Sequence, residues 1–121
     1  MSSELSQFIM THIENVGHLE MLLLLHQFPL RAWSAAEMTR ELRGNQYAIE
    51  RWVKLFVSCG LAIAEGDGHR FQPASDELRH YVDEVARIYR ARPALLIELI
   101  HSRSNPQLMD FVRAFDIRKK T

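Results

Sequence analysis

Apolar residues recur three and four apart along most of this chain, with a single short stretch that alternates instead. Leu5, Phe8, Ile9, His12, Ile13 and Val16 share one helical stripe, which predicts an amphipathic helix over residues 3–14. Asn15 and Gly17 are candidate interruptions after it. A second helix carries Leu19, Leu22, Leu23, Leu25 and His26 and runs up to Pro29. It is apolar on nearly every side from Met21 to Leu25, so it must be buried from more than one direction.

Residues 28–33 read as a connection, and Ser34-Ala35-Ala36-Glu37 then matches a capping box. The short helix that it opens points Met38 and Leu42 inward. Gly44-Asn45 closes this helix and starts the next, with Gly tolerating a left-handed turn and Asn serving as N-cap. The following helix is expected over residues 46–59. Its broad apolar face is Ala48, Ile49, Trp52, Val53, Leu55, Phe56 and Cys59, and Gly60 stands where a left-handed terminus is needed.

Leu61 to Ala64 alternates and reads as a strand. Gly66-Asp67-Gly68 supplies a hairpin turn, Arg70-Phe71-Gln72 returns, and Pro73 ends the second strand. Ser75 caps a long helix whose stripe is Leu78, Tyr81, Val82, Val85, Ile88 and Tyr89. Arg92-Pro93 breaks it, because the residue before proline is pushed out of the helical region, and a further helix follows over residues 94–101. Pro106 opens a last amphipathic segment with Leu108, Phe111, Val112 and Phe115. The pattern predicts a mainly α fold with a small two-stranded β hairpin. Residues 1–121 form one domain, built on a core unit of 16–73 with flanking helices in 1–15 and 75–121.

The length of 121 residues fits a single domain. A formal net charge of zero removes any bulk attraction to nucleic acid or anionic lipid. The single cysteine, Cys59, excludes an internal disulfide and fits a reducing compartment. The longest apolar run, Met21 to Leu25, is far too short to span a bilayer, and no basic-then-apolar leader opens the chain. A cytoplasmic protein without a membrane partner is expected.

Candidate chemistry is sparse. Nucleophile elbow, phosphate-binding glycine loop and dinucleotide fingerprint are all absent, so no enzyme activity and no cofactor are expected. The six histidines lack the spacing of metal ligands, although His80 with Asp83, or Glu14 with His18, could meet on a helix face. Cys59 lies on an apolar face and reads as an inert buried thiol. Trp52 reads as core by its spacing, whereas Trp33 suits either a core edge or an interface. Tyr47 suits either recognition or a plain helix-start surface, and Arg118-Lys119-Lys120 reads as a solvated tail.

Four features of residues 16–73 taken together resemble the winged helix-turn-helix domains of bacterial transcription regulators of the MarR and PadR type. These are the apolar helix from Leu19 to Leu25, the capped Ser34 helix, the Leu55-Phe-Val-Ser-Cys-Gly60-Leu61 ending, and the hairpin closing on Phe71-Gln-Pro73. The resemblance covers about half the chain and implies that the helix over about 46–59 enters a DNA major groove. Its outward residues would be Asn45, Gln46, Tyr47, Glu50, Arg51 and Lys54. Asn and Gln can pair with adenine, and Arg with guanine. Arg40 and Arg43 would hold phosphates beside it, and His69 and Arg70 would do so from the wing over residues 61–72.

Charge restrains this reading. Between Ser34 and Gln72 the cations are Arg40, Arg43, Arg51, Lys54 and Arg70. They are matched by Glu37, Glu41, Glu50, Glu65 and Asp67. Phosphate neutralisation supplies most non-specific affinity, so a neutral reader binds weakly on its own. Two expectations follow from the resemblance. One is a regulator that binds double-stranded DNA as a homodimer through its flanking helices. The other is a protein-interaction module on the same scaffold, with a protein partner in place of DNA.

Overall fold

The computed structural model describes residues 1–102. The expected segment opening at Pro106 and the basic tail lie outside the described residues. Six helices and one hairpin follow in the order α1 (Ser3–His12), α2 (Val16–Gln27), α3 (Ala35–Leu42), α4 (Gln46–Ser58), β1 (Ala62–Glu65), β2 (Gly68–Phe71), α5 (Asp76–Ala91) and α6 (Pro93–His101). The fold is mainly helical with a small antiparallel two-stranded sheet, as the periodicity predicted.

Helix starts are chemically explicit. Ser2, Asn15, Ser34, Asn45 and Ser75 each accept a backbone N–H of the first turn that follows, which satisfies an otherwise orphan donor. Ser34 and Glu37 complete the capping box reciprocally at 3.1 and 2.9 Å. Asn15 therefore starts α2 rather than merely interrupting α1, and Gly17 lies inside that helix. A Cβ there would stand 2.7 Å from Trp52 Cη2, so any larger residue would require the indole to shift.

The apolar segment of α2 is central, as its lack of a polar side demands. Leu19, Met21, Leu22 and Leu25 are all buried, and α3, α4, α5 and β2 pack around them. Leu5, Phe8, Ile9 and Ile13 of the α1 region join the same core, together with Val82, Val85 and Ile88 of α5 and Leu96, Leu99 and Ile100 of α6. Arg92 leaves the helical region (φ −146°, ψ 69°), so α5 ends at the bond before Pro93, and α6 folds back against α5 and α1.

The turn between α3 and α4 differs from expectation. Arg43, not Gly44, adopts the left-handed conformation (φ 53°, ψ 39°). The Gly44 N–H donates to Thr39 O at 3.0 Å, a six-residue closure that fixes the position before it as the left-handed one. An arginine at such a position costs about 1 kcal/mol. Gly60 does take the left-handed conformation at the end of α4 (φ 84°).

The hairpin pairs Ala62 with Phe71 and Glu65 with Gly68, leaving Gly66-Asp67 as a two-residue loop with Gly66 at φ 60°. A third strand-like contact joins it. Trp33 and His69 exchange both backbone hydrogen bonds at 2.8 Å, so the connection between α2 and α3 pairs with β2. Trp33 is thus buried at the core edge, with the Arg31 guanidinium 3.5 Å above its ring.

Candidate nucleic-acid interface

Helix α4 buries Ile49, Val53 and Phe56 and turns its other side outward. Asn45, Gln46, Tyr47, Glu50, Arg51 and Lys54 are all exposed, with Tyr47 at 81%. Leu55, placed on the apolar face by spacing, is 37% exposed, and Val57 is 39% exposed, so the far end of the helix offers apolar surface. Trp52 is half-buried and packs against the core. Arg40 and Arg43 are exposed on the end of α3, beside the start of α4.

Pairing within the protein divides these candidates. Among the described residues, Arg40, Arg43 and Lys54 carry no ion pair. Arg51 is held by Glu14: Nη1 and Nη2 each donate to one carboxylate oxygen at 2.7 Å. Arg70 on the hairpin donates to Glu65 at 3.0 Å and to Gln72 at 2.8 Å. Gln46 donates to Glu50 at 3.2 Å. His69 is half-buried, and its backbone is committed to the Trp33 bridge. Asn45 is also spoken for, since its side-chain oxygen caps α4 by accepting from the Ala48 N–H.

Glu14 and His18 do meet, but not as a surface pair of side chains. His18 is fully buried, and its Nδ1 accepts from the Glu14 backbone N–H at 3.1 Å. Its ring stacks on Phe56 at 4.0 Å between centroids, and Nε2 lies 3.3 Å from the Trp52 carbonyl oxygen. Nδ1 must be bare to accept, so the proton sits on Nε2 and donates to Trp52. The histidine therefore ties the corner before α2 to the middle of α4. His80 and Asp83 do not pair with each other. Asp83 reaches across to His26 at 2.8 Å and joins α5 to α2.

The remaining candidates are structural. Cys59 is half-buried, and burial pushes its thiol above the ordinary cysteine range while Sγ–H donates to Phe56 O. Among the described residues, no group of three or more His, Cys, Asp or Glu is placed to hold a metal ion, and no helix is long and apolar enough to cross a membrane. A cleft of about 440 Å³ lies between the start of α1, α5 and the α5–α6 corner, over Leu5, Tyr81, Ile88 and Leu95. Arg87 at its rim is already neutralised by Glu84 at 2.7 Å.

Glu14 and His18 are the residues that local pattern did not assign to the α4 surface. Arg51 lies 37 positions from Glu14, and Trp52 lies 34 from His18, so no single helix face carries the signal. No protein-family model, curated protein or solved structure matches this chain.

Proposed function

We infer that residues 16–73 are a winged helix-turn-helix of the type found in MarR and PadR regulators, and that the protein binds double-stranded DNA as a homodimer. The reading is carried by one observation. An exposed helix, α4, opens on Asn45, Gln46 and Tyr47, and it is accompanied by Arg40, Arg43 and Lys54, exposed cations on α3, the α3–α4 turn and α4 that carry no ion pair among the described residues, with the β1–β2 hairpin following α4. In this arrangement α4 enters the major groove and the cations neutralise phosphates. Helices α1, α5 and α6 lie outside the reader and supply the surfaces for pairing with a second copy.

Fluorescence anisotropy with duplex DNA from the region upstream of the protein's own gene tests this. Binding should weaken steeply with salt. Lys54→Ala and Arg40→Ala should each lower affinity for all sequences and reduce the salt slope by about 1. Absence of binding at low salt rejects the reading. Light scattering should give a dimer mass, and a monomer at micromolar concentration rejects that part.

A specific observation favours a second reading. Arg51, the α4 arginine that could pair with guanine, and Arg70, the wing arginine that could hold a phosphate, are neutralised by Glu14 and Glu65. Leu55 and Val57 expose apolar surface on the same helix. A protein-docking surface needs less net positive charge than a DNA reader and uses such apolar groups. A stoichiometric protein partner lost on Tyr47→Ala, with no DNA affinity, would decide for this alternative.

A further inference from the structure

The bidentate pair between Arg51 and Glu14 has the geometry that a guanidinium otherwise makes with a phosphate group or a guanine edge. Two parallel N–H donors meet two oxygens, each at 2.7 Å. While Glu14 occupies that fork, Arg51 cannot offer the same two donors to a nucleic acid. The pair lies at the surface, with the side chain of Arg51 57% and that of Glu14 33% exposed, so an incoming anion can reach it. Glu14 is not there by the chance sweep of a long side chain. Its backbone N–H is fixed to His18, which is itself stacked on Phe56 and bonded to Trp52 one residue from Arg51. Gly17 lets that corner close onto Trp52. The scaffold thus aims a carboxylate at one chosen arginine of α4.

We propose that Glu14 is a built-in competitor for Arg51, an autoinhibitory contact that nucleic acid must displace before Arg51 can bind it. The proposal rests on the DNA reading and deepens it. In the free protein the reader presents Lys54, Arg40 and Arg43, and Arg51 is added only when a phosphate or guanine outbids the carboxylate. Weak ligands then meet a nearly neutral surface, while a ligand that fits α4 closely gains a fourth cation. Discrimination between them is widened without any change in the contacts of the bound state.

The test compares the full-length protein with Glu14→Gln, Arg51→Ala, the double variant and Glu50→Gln, using fluorescence anisotropy on a labelled random-sequence duplex at low salt. Glutamine keeps the backbone bond to His18 and the side-chain shape, and circular dichroism melts check that each variant folds. Glu14→Gln should tighten binding about fivefold, the upper worth of an exposed ion pair. Most of that gain should vanish in the Arg51→Ala background. Glu50→Gln, which deletes a negative charge from the same face without touching Arg51, sets the gain due to charge alone and should give less. A gain equal in both backgrounds, a gain no larger than that of Glu50→Gln, or weaker binding by Glu14→Gln overturns the competitor role while leaving DNA binding intact. Failure of every variant to bind overturns the DNA reading and the competitor with it.

Discussion

Gly66 and Gly68 stand two residues apart, but the structure requires glycine at each for a different reason, and substitution separates the two. Gly66 sits at φ 60°, with nothing within 4 Å of the site of a Cβ. Alanine there meets only backbone strain, about 1 kcal/mol. Gly68 does not have positive φ, yet a Cβ would stand 2.6 Å from Trp33 O, 2.7 Å from Trp33 C and 3.0 Å from Ser34 N. These are backbone atoms and cannot swing aside as a side chain would. Relief must come from opening the Trp33–His69 bridge, whose two hydrogen bonds are each 2.8 Å. Overpacking of this kind costs about 1–3 kcal/mol, and each weakened backbone bond adds about 1. With both bridge bonds weakened, Gly68→Ala should therefore lose about 3–5 kcal/mol, against about 1 for Gly66→Ala. Urea titration followed by circular dichroism gives both values, and the melting temperature should fall by on the order of 10 °C for Gly68→Ala. A loss at Gly68 no greater than at Gly66 would refute the close approach of the hairpin to the α2–α3 connection.

Three further outcomes follow from other sites. Arg43→Gly relieves a left-handed arginine and should raise stability by about 0.5–1 kcal/mol in urea titration; under the proposed DNA-binding role the lost charge should also lower affinity in anisotropy titrations. Glu37 is held below its ordinary value of 4.5 by the Ser34 backbone N–H and then by Arg31. Its folded value is thus lower than its unfolded one, so its contribution is present above pH 4.5 and is lost as pH falls below it. Glu37→Gln should lose less stability than the parent over that acid window in pH-dependent melts. Cys59, whose thiol is raised by burial, should react with a disulfide reagent at pH 8 more slowly than free cysteine, and unfolding in urea should abolish the difference.

Local chemistry made the elements legible. Ser34 and Glu37, three residues apart, announced their own capping box, and Asn45, Gly60, Ser75 and Pro93 marked ends where the backbone now begins or stops. The central burial of α2 followed from its having no polar side. The turn at Arg43 was misplaced by one residue, because glycine preference identifies a tolerant residue and not the closure that selects which position turns. Contacts that join separate elements left no such trace. Glu14 with Arg51, His18 with Phe56, His26 with Asp83 and Trp33 with His69 depend on how helices pack, not on spacing along one of them. For that reason the exposure of Arg51 on α4 followed from its helical position, while the half-buried state of Arg70 and the pairing of both arginines stayed hidden.

The outer row of α4 is mechanically idle. The side chains of Gln46 and Glu50 bond only to one another among the described residues, and Tyr47 and Lys54 project into solvent, while Ile49, Val53 and Phe56, with half-buried Trp52, anchor the helix. Exchanges at such positions typically shift stability by under about 0.5 kcal/mol. Replacement of these four side chains should therefore leave the supporting framework as it is, so this row can vary in sequence at little cost to folding.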